Sequence, residues 1–531
     1  MKKQNFIKGS IILMISAAAA KLLGAVFKIP LTNILGGIGM SYFSCAYSIF
    51  MPVYALTVTG LSSAVARMTA QSAALGMYAN ALKVRRTALM LFSGVGLAGS
   101  LLIFLLAKPF SLYFIGSREA CGAVAMIAPS VFFGCITAVE RGYYEGMSNM
   151  YPTAFSQAAE GVVKAVSGLL LCGYVISRPD TVMRLFPDIS DVRGAAAAAG
   201  VLGVTLSTAG AVLFFAVMRL FSRPQRGGEP HLMSSRAIVR ELTATALPIG
   251  IGALVTNLTA VVDMWTVIGC ISRFGGIKAP EGVSTNELPG FVYGSFAGIA
   301  LTLFGLVPSV TNMLGKGALT CIASACESGD RAALERGTMQ ALLTSVIIAV
   351  PAAAGLFVLA PEVLSFLYPR QTDEAAICVA PLRYLMAGMV CLCASYPLFS
   401  MLQAAGKPSA PLKIMLAGTG LKLAGNLLLI PLMGVEGAAL STTLCYVLIL
   451  CLSLKIYITE LKIKIQIIPF VNVVYAGLMC GGTAYLTACA AKHRELSQLT
   501  VIGVSAAVGG AVYAALLRYL SAGRMTCFKH T

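Results

Sequence analysis

The sequence predicts an all-α integral membrane protein, and three observations lead to that fold class. Hydrophobic residues make up 58% of the 531 residues and charged residues only 11%, too few for the surface of a soluble protein of this length. Apolar runs of roughly 20 residues recur along the whole chain, and each is long enough to cross a bilayer as a helix. The short alternating pattern of a membrane β-barrel is absent.

Fourteen membrane-spanning helices are expected. The first resembles a signal peptide by position, but its apolar stretch is long, includes Lys21 and runs to Lys28, so it is interpreted as an uncleaved helix. The expected spans are residues 8–30, 38–62, 86–107, 120–141, 152–176, 194–218, 243–270, 291–315, 338–360, 376–402, 410–431, 435–456, 468–490 and 499–520.

The distribution of basic residues predicts the orientation. An even number of spans leaves both termini on one side, and the segments on that side hold 24 of the 39 Lys and Arg residues. Because basic residues favour the cytoplasmic side, both termini are expected in the cytoplasm. The same rule explains most of the net charge of +18, so no nucleic-acid partner is expected. A multi-pass monomer in contact with membrane lipids is the expected state.

The chain divides into two related halves. A basic cytoplasmic linker, residues 219–242, separates a six-helix lobe in residues 1–218 from a second one in residues 243–456. Residues 457–531 add two helices and a tail that lie outside the repeat. Six spans per half is an even number, so the halves have the same orientation and a parallel pseudo-two-fold relation. By analogy with other repeat transporters, the substrate path is expected between the lobes.

The clearest match between the halves is a polar hairpin followed by a helix that carries a lysine. Residues 140–152 with Lys164 correspond to residues 402–408 with Lys422, an offset close to 250 residues. A charged residue near the centre of a membrane helix costs roughly 2.5–3.5 kcal/mol, so such residues usually face a protein interior or a water-filled cavity. Both lysines are therefore candidate site residues.

Two more lysines lie in the first span. Lys21 and Lys28 are seven residues apart and share one helix face. Lys21 falls near the middle of the membrane and is a candidate site residue. Lys28 is close to the outer end, where a snorkelling anchor is an alternative to a functional role.

Acidic residues in the spans leave alternatives open. Glu160 precedes Lys164 by four residues, so the two could form a structural pair, whereas Gly418 stands at the equivalent position before Lys422. Lys422 thus needs another partner, such as a substrate anion or Asp263. The carboxylate of Asp263 could bind a coupling cation or proton, or pair with a lysine. Glu160 and Asp263 are therefore candidates for coupling or charge tuning.

No catalytic or metal-binding constellation is visible in the sequence. P-loop, GxSxG and HExxH motifs are absent, and the 15 cysteines are scattered without CxxC spacing. Residues 94–99 match GxGxxG but lie within an apolar span, where small residues typically serve helix packing. The three histidines lie in loops or the tail: His231, His493 and His530. Neither an enzyme nor a metal site is expected.

Several segments resemble the stage V sporulation protein B group of polysaccharide flippases. They are Glu140 to Leu171, Lys21 to Leu31, Leu247 to Asp263, Leu402 to Pro408 and Leu429 to Pro431. The resemblance covers about residues 6–460. This group is similar to the lipid II flippases and belongs to the wider multidrug/oligosaccharidyl-lipid/polysaccharide exporter superfamily.

The resemblance implies a V-shaped, two-lobed fold, alternating access, and an undecaprenyl-diphosphate-linked sugar as cargo for sporulation or vegetative cell-wall synthesis. Lys21 and Lys28 stand at basic positions of the group's first helix, and Asp263 stands where its seventh helix carries an acid. We therefore expect Lys21, Lys164 and Lys422 to bind the diphosphate. Lys28 would assist at the outer exit, and Asp263 would couple to a cation or tune a lysine.

No cofactor is expected, apart from coupling to a Na⁺ or H⁺ gradient or to the membrane potential. Two other functions remain open. A cation-coupled multidrug antiporter of the same fold would favour acids and aromatic residues in its cavity, whereas lysines outnumber acids in these spans. A non-transporting scaffold for envelope assembly would not need buried lysines.

Overall fold

The protein is almost entirely helical in its computed structural model. The structure describes residues 6–185, 191–221, 233–274, 280, 282–312, 322, 330–405, 407, 409–461, 463 and 465–525. No strand occurs among these residues. The predicted all-α membrane class is confirmed.

In the described residues, the first part of the chain forms nine helices and one π-helical turn. They are α1 (Phe6–Tyr54), the π turn π1 (Ala55–Thr59), α2 (Gly60–Ala74), α3 (Tyr78–Phe114), α4 (Ala120–Ile127), α5 (Pro129–Gly146), α6 (Tyr151–Ser177), α7 (Pro179–Leu185), α8 (Val192–Phe221) and α9 (Ser235–Phe274).

The described residues of the second part form nine further helices and a second π turn. They are α10 (Leu288–Ser295), π2 (Phe296–Ala300), α11 (301–312), α12 (Arg331–Val358), α13 (Ala360–Leu367), α14 (Thr372–Ala404), α15 (Ser409–Met433), α16 (Val435–Leu461), α17 (Ile468–His493) and α18 (Gln498–Met525). The two π turns lie in the second and the eighth of the predicted spans.

Thirteen helical segments among the described residues are long and apolar enough to cross a membrane. The difference from the predicted fourteen arises at the start of the chain, where α1 runs for 49 residues. Gly36 interrupts it with φ 64° and ψ −176°, a conformation that only glycine adopts readily. The residues on either side of Gly36 therefore form separate helical segments, which correspond to the first two predicted spans.

The helices begin where local chemistry favours them. Proline occupies the first turn of α5, α6, α10, α13 and α17, where its missing N–H leaves no intrahelical bond unmade. Asp330 caps α12 by accepting a hydrogen bond from the backbone N–H of Ala333 at 3.0 Å. Because lipid offers no hydrogen-bond partners, a helix is the natural form for each apolar segment.

The chain forms two compact units, Met1–Gly269 and Cys270–Thr531. Most of α9 belongs to the first unit, although we predict from the sequence that this helix begins the second lobe. Ile238 and Leu242 are fully buried in a core shared with α2, α3 and α5. The predicted lobes, linker and C-terminal extension remain predictions, and residues 222–232 of the linker lie outside the described residues.

The contact between α9 and the π1 region is made through glycines. A Cβ atom on Gly250 would lie 2.4 Å from the backbone oxygen of Leu56, and one on Gly60 would lie 2.1 Å from the backbone oxygen of Ala246. Distances this short leave no room for a methyl group unless backbone moves. The two helices therefore approach as closely as small residues allow, which is typical of packing between membrane helices.

A buried ionic cluster joins three helices of the first unit. Glu140 on α5 pairs with Arg85 on α3 and with Arg219 on α8, whose Nη2 lies 2.6 Å from Glu140 Oε1. The Glu140 side chain is only 3% exposed, and the Arg85 guanidinium lies 4.6 Å from the centre of the Tyr143 ring. Removal of the acid would leave a buried arginine without its counter-charge, which is strongly unfavourable.

Gly250→Ala should destabilise the first unit by about 1–3 kcal/mol, because the new methyl group overlaps the Leu56 carbonyl. Thermal unfolding of the purified protein in detergent measures the effect. Gly252→Ala is the matched control on the same helix, since no atom lies within 4 Å of its Cβ position. Equal unfolding temperatures for the two variants would contradict the close contact.

Glu140→Gln should lower stability by about 3–5 kcal/mol, because Arg85 stays buried without an anionic partner. Glu460→Gln provides the comparison, since the pair Lys407–Glu460 is about half exposed on both sides and such pairs contribute about 0–1 kcal/mol. The same thermal unfolding experiment applies. A similar small loss in both variants would show that the cluster contributes little to folding.

Candidate substrate-binding site

Helix α6 packs against α1 and α8 through a series of glycines. A Cβ on Gly161 would lie 3.5 Å from Leu23, and one on Gly168 would lie 3.0 Å from the Phe27 ring. On the α8 side, a Cβ on Gly203 would lie 2.5 Å from the Cα of Gly168. Because these helices are so close, the longer side chains between them have fixed neighbours.

Lys164 on α6 points towards both segments of α1. Its Nζ lies 5.7 Å from the centre of the Phe27 ring and 5.5 Å from the centre of the Tyr47 ring, within the range of cation–π attraction. Gly24 gives the ammonium room, since its Cβ position would lie 3.8 Å from Nζ. The predicted candidate Lys164 thus lies in an aromatic environment within the membrane.

Lys28 is the second cation of this site. It lies on α1 beside Phe27, is partly buried, and is near enough to Lys164 for the two charges to interact. In the described part of the chain, neither lysine forms an ion pair with an acid. Two like charges that interact without an acidic counter-charge among the described residues form an arrangement that an oxyanion would stabilise.

Glu160 does not pair with Lys164, although their spacing allows it. Its Oε2 accepts a hydrogen bond from Arg141 Nη2 at 2.7 Å, and Arg141 Nε donates to Ser156 Oγ at 2.9 Å. The interpretation of Glu160 and Lys164 as a self-neutralised pair is therefore wrong. The physical reason is that Arg141, at the end of α5, faces α6 across the hairpin and neutralises Glu160 there.

Lys422 lies in the second unit, where α15 packs against α16. It is only 3% exposed, and its backbone oxygen accepts a hydrogen bond from the Ser441 hydroxyl at 2.9 Å. A Cβ on Gly418 would lie 2.6 Å from Ile449. A side chain longer than hydrogen at position 418 would therefore have to displace the Ile449 side chain.

Asp263 and Lys21 are the remaining residues predicted for the site. Asp263 on α9 is 3% exposed, and the hydroxyl of the nearby Thr266 donates to the Val262 carbonyl at 2.6 Å. Lys21 lies in helix α1, but its side chain is outside the described part of the structure. The structure thus brings Lys28 and Lys164 together, while the roles of Asp263, Lys21 and Lys422 remain predictions.

The sequence reasoning did not identify the aromatic part of this site. Phe43, Tyr47, Phe50 and Tyr54 recur at intervals of four, three and four residues, so they share one face of the second segment of α1. Adjacent rings along this face are 4.8–6.1 Å apart between their centres. The spacing was visible in the sequence. Aromatic residues on one face of a membrane helix usually contact lipid or pack in the protein core, however, so the spacing alone does not indicate a binding site.

The sequence model described as "Lipid II flippase MurJ" matches residues 118–504, which is more than half of the chain. Among curated proteins, "Stage V sporulation protein B" of Bacillus subtilis (strain 168) is 24% identical over 90% of this chain and 89% of its own length. "Lipid II flippase MurJ" of the same organism is 20% identical over 96% of this chain and 94% of its own length.

Two solved structures show the same fold. "Lipid II flippase MurJ, inward closed conformation" has a TM-score of 0.65 at 15% identity and covers 98% of this chain and 100% of its own. The inward-facing structure of a multidrug resistance MATE family transporter has a TM-score of 0.66 at 14% identity and covers 85% of this chain and 98% of its own.

These findings agree with the resemblance noted in the hairpin and in the first and seventh spans. The many membrane-spanning helices and the curated relatives make this a multi-pass protein of the bacterial cell membrane and a transporter of the flippase type. With the family model matching most of its length, the chain belongs to the lipid II flippase MurJ family.

Proposed function

We propose that the protein moves an undecaprenyl-diphosphate-linked sugar from the inner to the outer leaflet of the cytoplasmic membrane by alternating access. The observation that supports this most directly is the pair Lys28 and Lys164, two cations in a membrane-embedded site without an acidic partner among the described residues. A diphosphate is the part of such a lipid that water solvates best, so it needs compensating charge inside the protein. The curated relatives are consistent with this cargo class.

The individual roles follow from position. Lys164 and Lys28 contact the diphosphate in the first unit, and Lys28 acts nearer the outer end of its helix. Lys422, buried in the second unit, and Lys21 are proposed as further contacts. Asp263 is proposed to couple transport to a cation or to tune a lysine, because a buried carboxylate in a membrane helix can hold Na⁺ or a proton.

The topology proposed for this function has both termini in the cytoplasm, as the distribution of basic residues indicates. The exposed basic residues Arg236 and Arg240 at the start of α9 fit that side. With this orientation, the α5–α6 hairpin also lies at the cytoplasmic end of the first unit. The cargo would enter from the inner leaflet, where lipid-linked sugars are assembled on the cytoplasmic side.

Lys164→Ala should weaken binding of undecaprenyl diphosphate about tenfold or more, because a charge-assisted hydrogen bond contributes roughly 1.5–3 kcal/mol. Binding to the purified protein in detergent measures this, and Lys164→Arg should retain most of the affinity. Lys455→Ala is the control, since Lys455 is exposed at the end of α16. Unchanged affinity of the Lys164→Ala variant would remove Lys164 from the site.

The activity itself is tested by reconstitution into vesicles with labelled lipid II and with one teichoic acid precursor, each with and without a Na⁺ or H⁺ gradient. Movement of one lipid and not of the other identifies the sugar class. Absence of movement for both, with the protein folded, would favour the scaffold function.

In cells, Lys21→Ala and Lys422→Ala should each fail to complement a flippase-depleted strain. Full complementation by both variants would contradict the binding roles proposed for these two lysines.

A further inference from the structure

The hydroxyl of Tyr47 is the polar group near Lys164 for which neither the fold nor the proposed function gives a role. It is covered by surrounding atoms and forms no hydrogen bond within the described structure. Its ring lies 5.5 Å from Lys164 Nζ, so the hydroxyl belongs to the same site as the cation. Buried hydroxyls are normally hydrogen-bonded, and one without an acceptor is unfavourable.

The packing of the ring does not explain the hydroxyl. Tyr47 stacks on Phe43 with 4.8 Å between the ring centres and meets Phe50 edge-on at 6.1 Å. These contacts and the cation–π contact with Lys164 are available to phenylalanine as well. A phenylalanine at this position would keep the packing and avoid the uncompensated hydroxyl.

The neighbouring charges determine which ligand would suit this hydroxyl. Lys164 and Lys28 are both donors, and they favour an acceptor with negative charge over a neutral one. A phosphate group carries several acceptor oxygens, so one group can accept from an ammonium and a phenolic O–H at the same time. A sugar hydroxyl or an uncharged lipid head would leave the lysine charges uncompensated.

We propose that Tyr47 is a binding residue of the transport site and donates its O–H to a phosphate oxygen of the cargo beside Lys164. This rests on the proposed function for the identity of the cargo. The Tyr47 hydroxyl is a directional hydrogen-bond donor, whereas the ammonium groups of Lys28 and Lys164 are flexible. The hydroxyl would therefore fix the position of the phosphate on this face of α1. The aromatic stripe holds the ring in place for that contact.

Tyr47→Phe tests the proposal, with undecaprenyl diphosphate as the probe. We expect affinity to fall about tenfold, the usual size for a hydrogen bond to a charged group, while undecaprenol, which lacks phosphate, binds the variant and the unaltered protein alike. The unfolding temperature without ligand should stay the same or rise, because the variant lacks a buried unpaired hydroxyl. Tyr174→Phe is the matched control, since Tyr174 is exposed on α6, the helix that carries Lys164.

The outcomes separate this proposal from the function on which it rests. If Lys164→Ala loses affinity and Tyr47→Phe does not, the proposal for Tyr47 is wrong and the lysine site stands. If neither variant loses affinity, both are wrong. If Tyr47→Phe lowers the unfolding temperature and weakens binding of undecaprenol as much as of the diphosphate, the hydroxyl is structural, which also overturns the proposal.

Discussion

The cost of a charge in hydrocarbon is the constraint on which the rest of this structure depends. Each charged side chain buried within the helices must be compensated, and the described residues show several ways of doing so. Glu140 is enclosed by two arginines from different helices. Glu160 is neutralised by Arg141 across the hairpin. Lys164 lies against aromatic rings, which compensate a cation less completely than a carboxylate does. This incomplete compensation distinguishes the lysine site from the structural pairs.

Glycine is the second element of the architecture, because lipid gives membrane helices no hydrophobic incentive to associate with one another. Close approach of backbones replaces that driving force, and it also limits which side chains fit. Where α15 meets α16, Gly418 faces Ile449 so closely that any larger side chain would have to displace that isoleucine.

Much of the fold follows from the sequence, because apolar runs and their lengths depend on neighbouring residues alone. The helical membrane class and most of the spans were predicted in this way, whereas the 49-residue α1 was predicted as two separate spans. The site was predicted only in part. Lys28 and Lys164 were identified as charges within spans, but the partner of Glu160 and the position of Tyr47 depend on contacts between helices. Spacing along one helix identifies only neighbours three or four residues away. It therefore favoured Lys164 over Arg141 as the partner of Glu160.

The π turns π1 and π2 have a consequence for chain length. Each contains one residue more than an α-helical turn, and they lie about 240 residues apart, close to the offset predicted from the sequence between the two halves. A one-residue deletion in Ala55–Thr59 would restore a regular α-helix and rotate one half of that span by roughly 100° relative to the other. Gly250 would then no longer face the Leu56 carbonyl. The number of residues in π1 is therefore constrained independently of their chemistry, and related proteins should tolerate substitutions there more readily than gaps.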